Sequence, residues 1–222
     1  MLRPVYWQEA CAHLTKHDKV MGALIAAYPT GMLGTRGEAL TTLVRSVVGQ
    51  QISVKAAASI WARFEAVLDG HVTAAGILAL SDEQMRGCGF SGSKVRYVRG
   101  IAQGFADGTV HPGLWDGMSD DAVIGELVKL PGIGRWTAEM FLMFFLMRPD
   151  VLAVDDIGLV KGFKQAYGHD YADFDDVRVA MAGPHLKLWQ RRMQEAGERW
   201  RPYRSVASWY LWRLLDPEEV AY

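Results

Sequence analysis

The chain has 222 residues, half of them hydrophobic, and its 24 Lys and Arg against 25 Asp and Glu leave a formal net charge of −1. This excludes a disordered chain, leaves room for one or two buried cores, and excludes a strongly basic nucleic-acid binder. Two cysteines, Cys11 and Cys88, exclude a disulfide framework, a zinc cluster and a four-cysteine iron–sulfur cluster; no apolar run reaches membrane-spanning length, the opening residues lack the apolar core of a signal peptide, and a reducing, cytoplasmic compartment is the default expectation.

In chain order the pattern is helical nearly throughout. Tyr6 to Tyr28 reads as one amphipathic helix or a pair. Thr35 is an N-cap candidate for a helix running to Gln50, with Ala39, Leu40, Leu43, Val44 and Val47 as its apolar face. Val54 to Leu68 is the next helix. Thr73 and Ser81 are N-cap candidates for two short helices, and Ser81-x-x-Gln84 has the form of a capping box. Lys94 to Phe105 follows. Ser119 then opens a helix with an apolar stripe at Ala122, Ile124, Leu127 and Leu130. No stretch has the alternation and turn spacing of a sheet, so the fold class is all-α. His13 and His17 stand at i, i+4 without a third ligand, and no transition-metal site is expected. Acids gather in Asp116–Glu126 and Asp170–Asp176. Bases gather late, at Lys187, Arg191, Arg192, Arg199, Arg201, Arg204 and Arg213, a run that reads either as a solvated helix face or as a phosphate-contacting one.

The most informative segment is Leu130-Pro131-Gly132-Ile133-Gly134-Arg135-Trp136-Thr137-Ala138. Pro131 disfavours helix at Leu130, so the preceding helix should stop there. Gly132 and Gly134 permit positive φ and the close approach of another backbone. After them Trp136, Met140, Phe141, Phe144 and Phe145 recur at helical spacing. The unit reads helix, tight glycine turn, helix. The second helix begins with N–H groups outside the helical ladder and a partial positive charge, an anion site suited to holding a DNA phosphate rather than reading a base. Glycines at an ordinary turn between helices are the plainer explanation, which the full pattern disfavours. Downstream, Asp155-Asp156 follow the apolar strip Val151-Leu152-Ala153-Val154, and one of the two is expected to serve merely as a helix N-cap.

LPGIGRWTA followed by VDD resembles the helix-hairpin-helix DNA glycosylase superfamily, and within it the alkylbase branch of DNA-3-methyladenine glycosylase II (AlkA-type) enzymes. Leu43 to Ser53 resembles that family's helix and DNA-wedge loop, Phe90-Ser91-Gly92-Ser93-Lys94 the turn before its next long helix, and Trp200 to Trp212 its closing helix. The likeness runs from Glu38 to Leu215. It implies two helical lobes with a DNA-facing cleft between them, one spanning 36–140 and the other combining 1–35 with 141–222, without the N-terminal β domain of larger relatives. The segment Gly168–Gly197 matches the short form of the family poorly and is expected to reshape the pocket rim or the DNA contact.

The resemblance also implies roles. The family's catalytic acid stands directly before a short apolar step, which selects Asp156 over Asp155. Breaking a base–sugar bond builds positive charge on the sugar; a fixed carboxylate stabilises that charge and can orient or deprotonate the attacking water. Members that also nick the strand carry a nucleophilic lysine at the position of Trp136. Tryptophan has no nucleophile, which implies a monofunctional enzyme that leaves an abasic site. Trp136 and Trp212 would line a substrate pocket for a flipped base, where an indole attracts a cationic alkylated purine; Trp115 and Trp209 read as core. Gln51 occupies the wedge position, where the best-known branch has an apolar residue. With Gly132, Gly134 and Thr137 it completes the expected DNA-binding set. The carbonyls of Leu130 and Ile133 are expected to hold a monovalent cation, with no other cofactor and no iron–sulfur cluster. The expected partner is double-stranded DNA containing alkylated bases, met by a monomer away from membranes. Two alternatives stay open: a non-catalytic helix-hairpin-helix DNA-binding module, and a glycosylase for oxidised or mismatched bases.

Overall fold

The computed structural model describes residues 4–31, 33–34, 37–172 and 181–215, and among them all regular structure is helical. The α-helices are α1 (Trp7–His17), α2 (Lys19–Ala27), α3 (Ala39–Gly49), α4 (Val54–Val67), α5 (Ala74–Ala79), α6 (Asp82–Gly87), α7 (Gly92–Ala106), α8 (Asp120–Leu127), α9 (Arg135–Phe144), α10 (Ile157–Tyr167), α11 (Gly183–Gly197) and α12 (Arg204–Leu215).

Capping chemistry explains most of the boundaries. Asp18, in extended backbone, ends α1 and starts α2 by accepting the Val20 and Met21 N–H groups, so the first amphipathic stretch is a pair of helices. Ser53, Thr73, Ser91 and Ser119 cap their helices in the same way. Ser81 and Gln84 close the capping box reciprocally. Because Ser91 accepts the Lys94 N–H, α7 begins at Gly92, ahead of the expected Lys94. Thr35 lies outside the described residues; α3 begins after Glu38, whose side chain makes no capping bond.

The chain divides into two compact units, Met1–Thr35 with Leu142–Tyr222, and Arg36–Phe141. The first unit has a core of large aromatics, with Trp7, Tyr167, Trp189, Trp200, Trp209 and Tyr210 all buried. At its centre Asp18 is a buried hub. Besides its two capping bonds, its Oδ2 accepts from the Tyr167 hydroxyl, the Trp200 indole N–H and Arg199 Nε, each at 2.8 Å. Burial by itself would push this carboxyl up; the donors from Trp200, Met21 and Tyr167, with the charge of Arg199, outweigh it and hold the group below the usual carboxylate range. In the second unit, α3, α4 and α7 contribute Leu43, Val44, Val47, Phe64, Val95, Val98 and Ile101 to the core. Trp115, as expected from the sequence, is core: it packs edge-on against Phe105 and Phe141, and its N–H donates to Glu126, which also accepts from His111.

Candidate active site

The acid is built on the start of α10. A strap over residues 148–151 is fastened to α12 before the chain reaches it. Arg204 grips Asp150 through Nε to Oδ1 at 2.7 Å and a second nitrogen to Oδ2 at 2.9 Å. The Ser205 hydroxyl donates to the Arg148 carbonyl and accepts the Val151 N–H. A bidentate arginine fixes orientation as well as distance. The chain then turns through Val154 and reaches Asp156, the N-cap of α10, whose Oδ1 accepts the Leu159 N–H. The same oxygen accepts the Trp212 indole N–H at 3.0 Å. Trp212, on α12, is half-buried and stacked on Phe144 at 5.8 Å between ring centroids.

Glycine makes this approach possible. A Cβ on Gly158 would press on Asp156 Oδ1 while only touching the Trp212 indole, and a Cβ on Gly162, one turn later, would overlap the Leu211 carbonyl. The missing side chain of Gly162 lets α12 come close enough for its tryptophan to reach the carboxylate, and that of Gly158 leaves room for the carboxylate itself. Asp155, exposed, accepts instead from Gln190 Nε2 of α11 at 3.1 Å. The sequence assigned the cap to one acid and the chemistry to the other; in the structure Asp156, the candidate catalytic acid, is itself the cap, and Asp155 is not.

The hairpin belongs to the other unit. Helix α8 stops at Leu127, three residues short of the Leu130 expected from Pro131. Lys129 and Leu130 already donate back three residues in a tight turn, which the unfavourable helical conformation before proline extends upstream. Leu130 and Ile133 are buried. Gly132 has φ +83°, and a Cβ there would strike the Tyr97 ring, so conformation and space both require glycine. Gly134 differs from expectation: its φ is not in the left-handed region, and nothing lies within 4 Å of where its Cβ would be. The fold does not demand glycine there; the open space lies at the start of α9, where N–H groups precede the first helical bond, from Ala138 to Gly134. Thr137 is buried, and Trp136 is 39% exposed.

Gln51, at the end of α3, is exposed with φ +60°, a conformation that glycine would normally supply. Two neighbours not expected from the sequence hold its loop. Gln50 Nε2 donates to the Gly132 carbonyl at 3.1 Å, and Lys94 Nζ donates to the Val48 and Gln50 carbonyls at 2.7 and 3.1 Å. Both lie inside segments that the sequence marks, but nothing in the local pattern points their side chains at these partners. The late basic run is committed largely to structure: Arg199 to Asp18, Arg201 and Arg204 to Asp150, Arg192 over Tyr171 and Trp189, Arg213 over Tyr28 and Trp209. Among the described residues no group of three or more His, Cys, Asp or Glu could hold a metal ion.

A family model for the HhH-GPD superfamily of base excision DNA repair proteins matches residues 44–182, which contain the hairpin, Asp156 and the loop at Gln51. The chain belongs to the HhH-GPD superfamily. Its relatives lie among the alkylbase enzymes. It is 30% identical over 204 residues to DNA-3-methyladenine glycosylase 1 of Schizosaccharomyces pombe, covering 90% of this chain and 82% of the relative. Among solved structures, a DNA-3-methyladenine glycosidase from Bacillus halodurans superposes with a TM-score of 0.78 at 32% identity, over 92% of this chain and 87% of that one. The S. pombe 3-methyladenine DNA glycosylase in complex with abasic DNA gives 0.73 at 29% identity, over 92% and 95%. The chain is thus a helical HhH-GPD enzyme of the DNA-3-methyladenine glycosylase type.

Proposed function

We propose that this HhH-GPD protein is a monofunctional glycosylase that flips alkylated purines out of duplex DNA and cleaves the base–sugar bond with water, leaving an abasic site. The observation that carries the reading is the Asp156 carboxylate, held by two N–H donors on one oxygen. A carboxylate fixed in this way meets the positive charge of the breaking glycosidic bond without having to reorganise, which is where an electrostatic contribution is largest. Water, oriented or deprotonated by the same group, is the nucleophile.

The remaining roles follow from chemistry. Trp136 is the stacking wall for the extruded base; its exposed indole attracts a purine made cationic by alkylation, itself a good leaving group. The start of α9 takes a phosphate, with Gly134 leaving the space, Gly132 shaping the turn and Thr137 within the first helical turn. Gln51 fills the gap left by the flipped nucleotide. The carbonyls of Leu130 and Ile133 suit a monovalent cation, which would supply positive charge beside that phosphate. The Leu130 carbonyl also accepts the Ile133 N–H at 3.2 Å, and a carbonyl oxygen has a second lone pair to offer. A monomer in a reducing compartment, with Cys11 and Cys88 as free thiols, belongs to the same proposal.

The test is incubation with duplexes carrying 3-methyladenine, 7-methylguanine, 1-methyladenine, ethenoadenine, hypoxanthine or uracil, followed by hot alkali to break the strand at abasic sites. Alkylated purines should be removed, and borohydride should trap no protein–DNA adduct. Asp156→Asn keeps an N-cap and an acceptor for Trp212 but loses the charge, so excision should vanish while binding to damaged DNA persists. A fully active Asp156→Asn beside an inactive Asp155→Asn would move the chemistry to Asp155. Absence of strand breaks on every substrate would favour a DNA-binding module over an alkylbase glycosylase.

A further inference from the structure

One side of α7 carries Lys94, Tyr97, Gly100 and Gly104 at helical spacing, and each meets a DNA-directed loop. A Cβ on Gly104 would run into Leu130 and one on Gly100 into Pro131, while the Tyr97 ring lies against Gly132. These residues form the seat of the hairpin. At the N-terminal end of the same side, Lys94 donates to the Val48 and Gln50 carbonyls, which end α3 and start the wedge loop. Gln50 then crosses from that loop to the hairpin, donating to the Gly132 carbonyl. The wedge loop and the phosphate-binding turn are therefore joined twice, once through the α7 platform and once directly.

Gln51 needs such support. A glutamine with φ +60° keeps that conformation only where its surroundings over-determine it, and the two bonds of Lys94 fall on the carbonyl just before it and on the last turn of α3. A lysine at a helix C-terminus also complements the partial negative charge there. Partial burial pushes the Lys94 ammonium below its ordinary range, in keeping with an inward structural role.

We propose that Lys94 and Gln50 are positioning residues that hold the Gln51 wedge in register with the phosphate-binding hairpin, so that insertion of the wedge and capture of the phosphate occur as one step. The inference rests on the base-flipping function proposed above. It predicts a defect confined to opening a base pair. Lys94→Met and Gln50→Met remove the donors at similar side-chain length, and Lys94→Arg restores donors to the carbonyls. On duplex DNA with 7-methylguanine opposite cytosine, both Met variants should slow single-turnover excision at least about tenfold and reduce the fluorescence rise of an adjacent 2-aminopurine. With the same lesion opposite an abasic-site analogue, where no pair has to open, they should stay within about twofold of wild type. Lys94→Arg should recover most of the paired rate. Equal slowing on both duplexes, or a paired rate unchanged in Gln50→Met, would overturn the inference. Should Lys94→Met fail to fold, Gln50→Met alone decides between these outcomes. A wild-type protein inert on both duplexes would overturn the proposed function itself, and this inference with it.

Discussion

The Trp212 indole donates its N–H to the carboxylate proposed to act on the sugar, a second role beside the base-stacking one its family position implies. Its ring face is occupied by Phe144. Trp212→Phe retains the stack and removes only the donor. It should lower the single-turnover excision rate by about 10- to 100-fold, the scale of a misplaced reacting group, while affinity for damaged duplex changes little. An unchanged rate would return Trp212 to a purely aromatic role. Trp136 stands in contrast as an indole at the head of α9 that is 39% exposed, leaving part of its surface open to a base. Trp136→Ala should therefore reduce excision of 7-methylguanine or 3-methyladenine by at least about tenfold, the order expected from loss of one stacking surface, with little change in melting temperature. Parallel losses in activity and stability would make it a core residue.

At the scale of elements, the Asp156–Trp212 contact depends on how closely α10 and α12 pack. Gly162 faces backbone, the Leu211 carbonyl, which cannot swing aside as a flexible side chain would. Gly162→Ala should cost about 1–3 kcal/mol in denaturant unfolding, as overpacking does, and should slow excision as well because the carboxylate and indole part. Loss of stability with full activity would show that the strap and the Leu159 N–H hold the acid without Trp212. Helix α11 is anchored by buried Trp189 and Met193 and touches the site through Gln190 and Asp155. The poorly matched segment is therefore in part a brace beside the acid rather than only a rim or DNA contact; residues 173–180 of it lie outside the described residues.

For the molecule as a whole, the Asp18 hub is the clearest source of pH dependence. Its folded carboxyl titrates below its unfolded value, so its stabilisation is complete above the unfolded pKa of about 3.9 and is lost as pH falls through the folded value. Melting temperature followed from about pH 6 downward should thus hold level and then drop in the acid range, and Asp18→Asn should flatten that drop while lowering stability near neutrality by about 1–3 kcal/mol, the cost of unmatched buried donors. An acid limb identical in the variant would assign the dependence to other carboxylates. Near-neutral charge, the other whole-molecule property, fits the proposal that DNA is met by backbone N–H groups, since Arg199, Arg201 and Arg204 of the late basic run are engaged in the protein's own ion pairs.

What the sequence determined by itself is local: the caps at Thr73 and Ser119, the capping box at Ser81, the glycine turn after Pro131, and a tryptophan rather than a nucleophile at position 136. Each of these is settled by a few adjacent residues, because capping, turn conformation and side-chain identity require nothing distant. The helix ends drifted by a few residues where a tight turn competed with the helical ladder, as at Leu127. Only the tertiary structure decided which partners meet: Trp212 with Asp156, 56 residues away, Lys94 with Val48 across 46, and Gln50 with Gly132 across 82. Periodicity places these residues on a helix or in a loop but does not reveal where a neighbouring element comes close, since closeness depends on where side chains are missing, at Gly100, Gly104 and Gly162. The sequence therefore supplies the two candidate acids, and the packing of α10 against α12 decides how Asp156, the one proposed to act, is held.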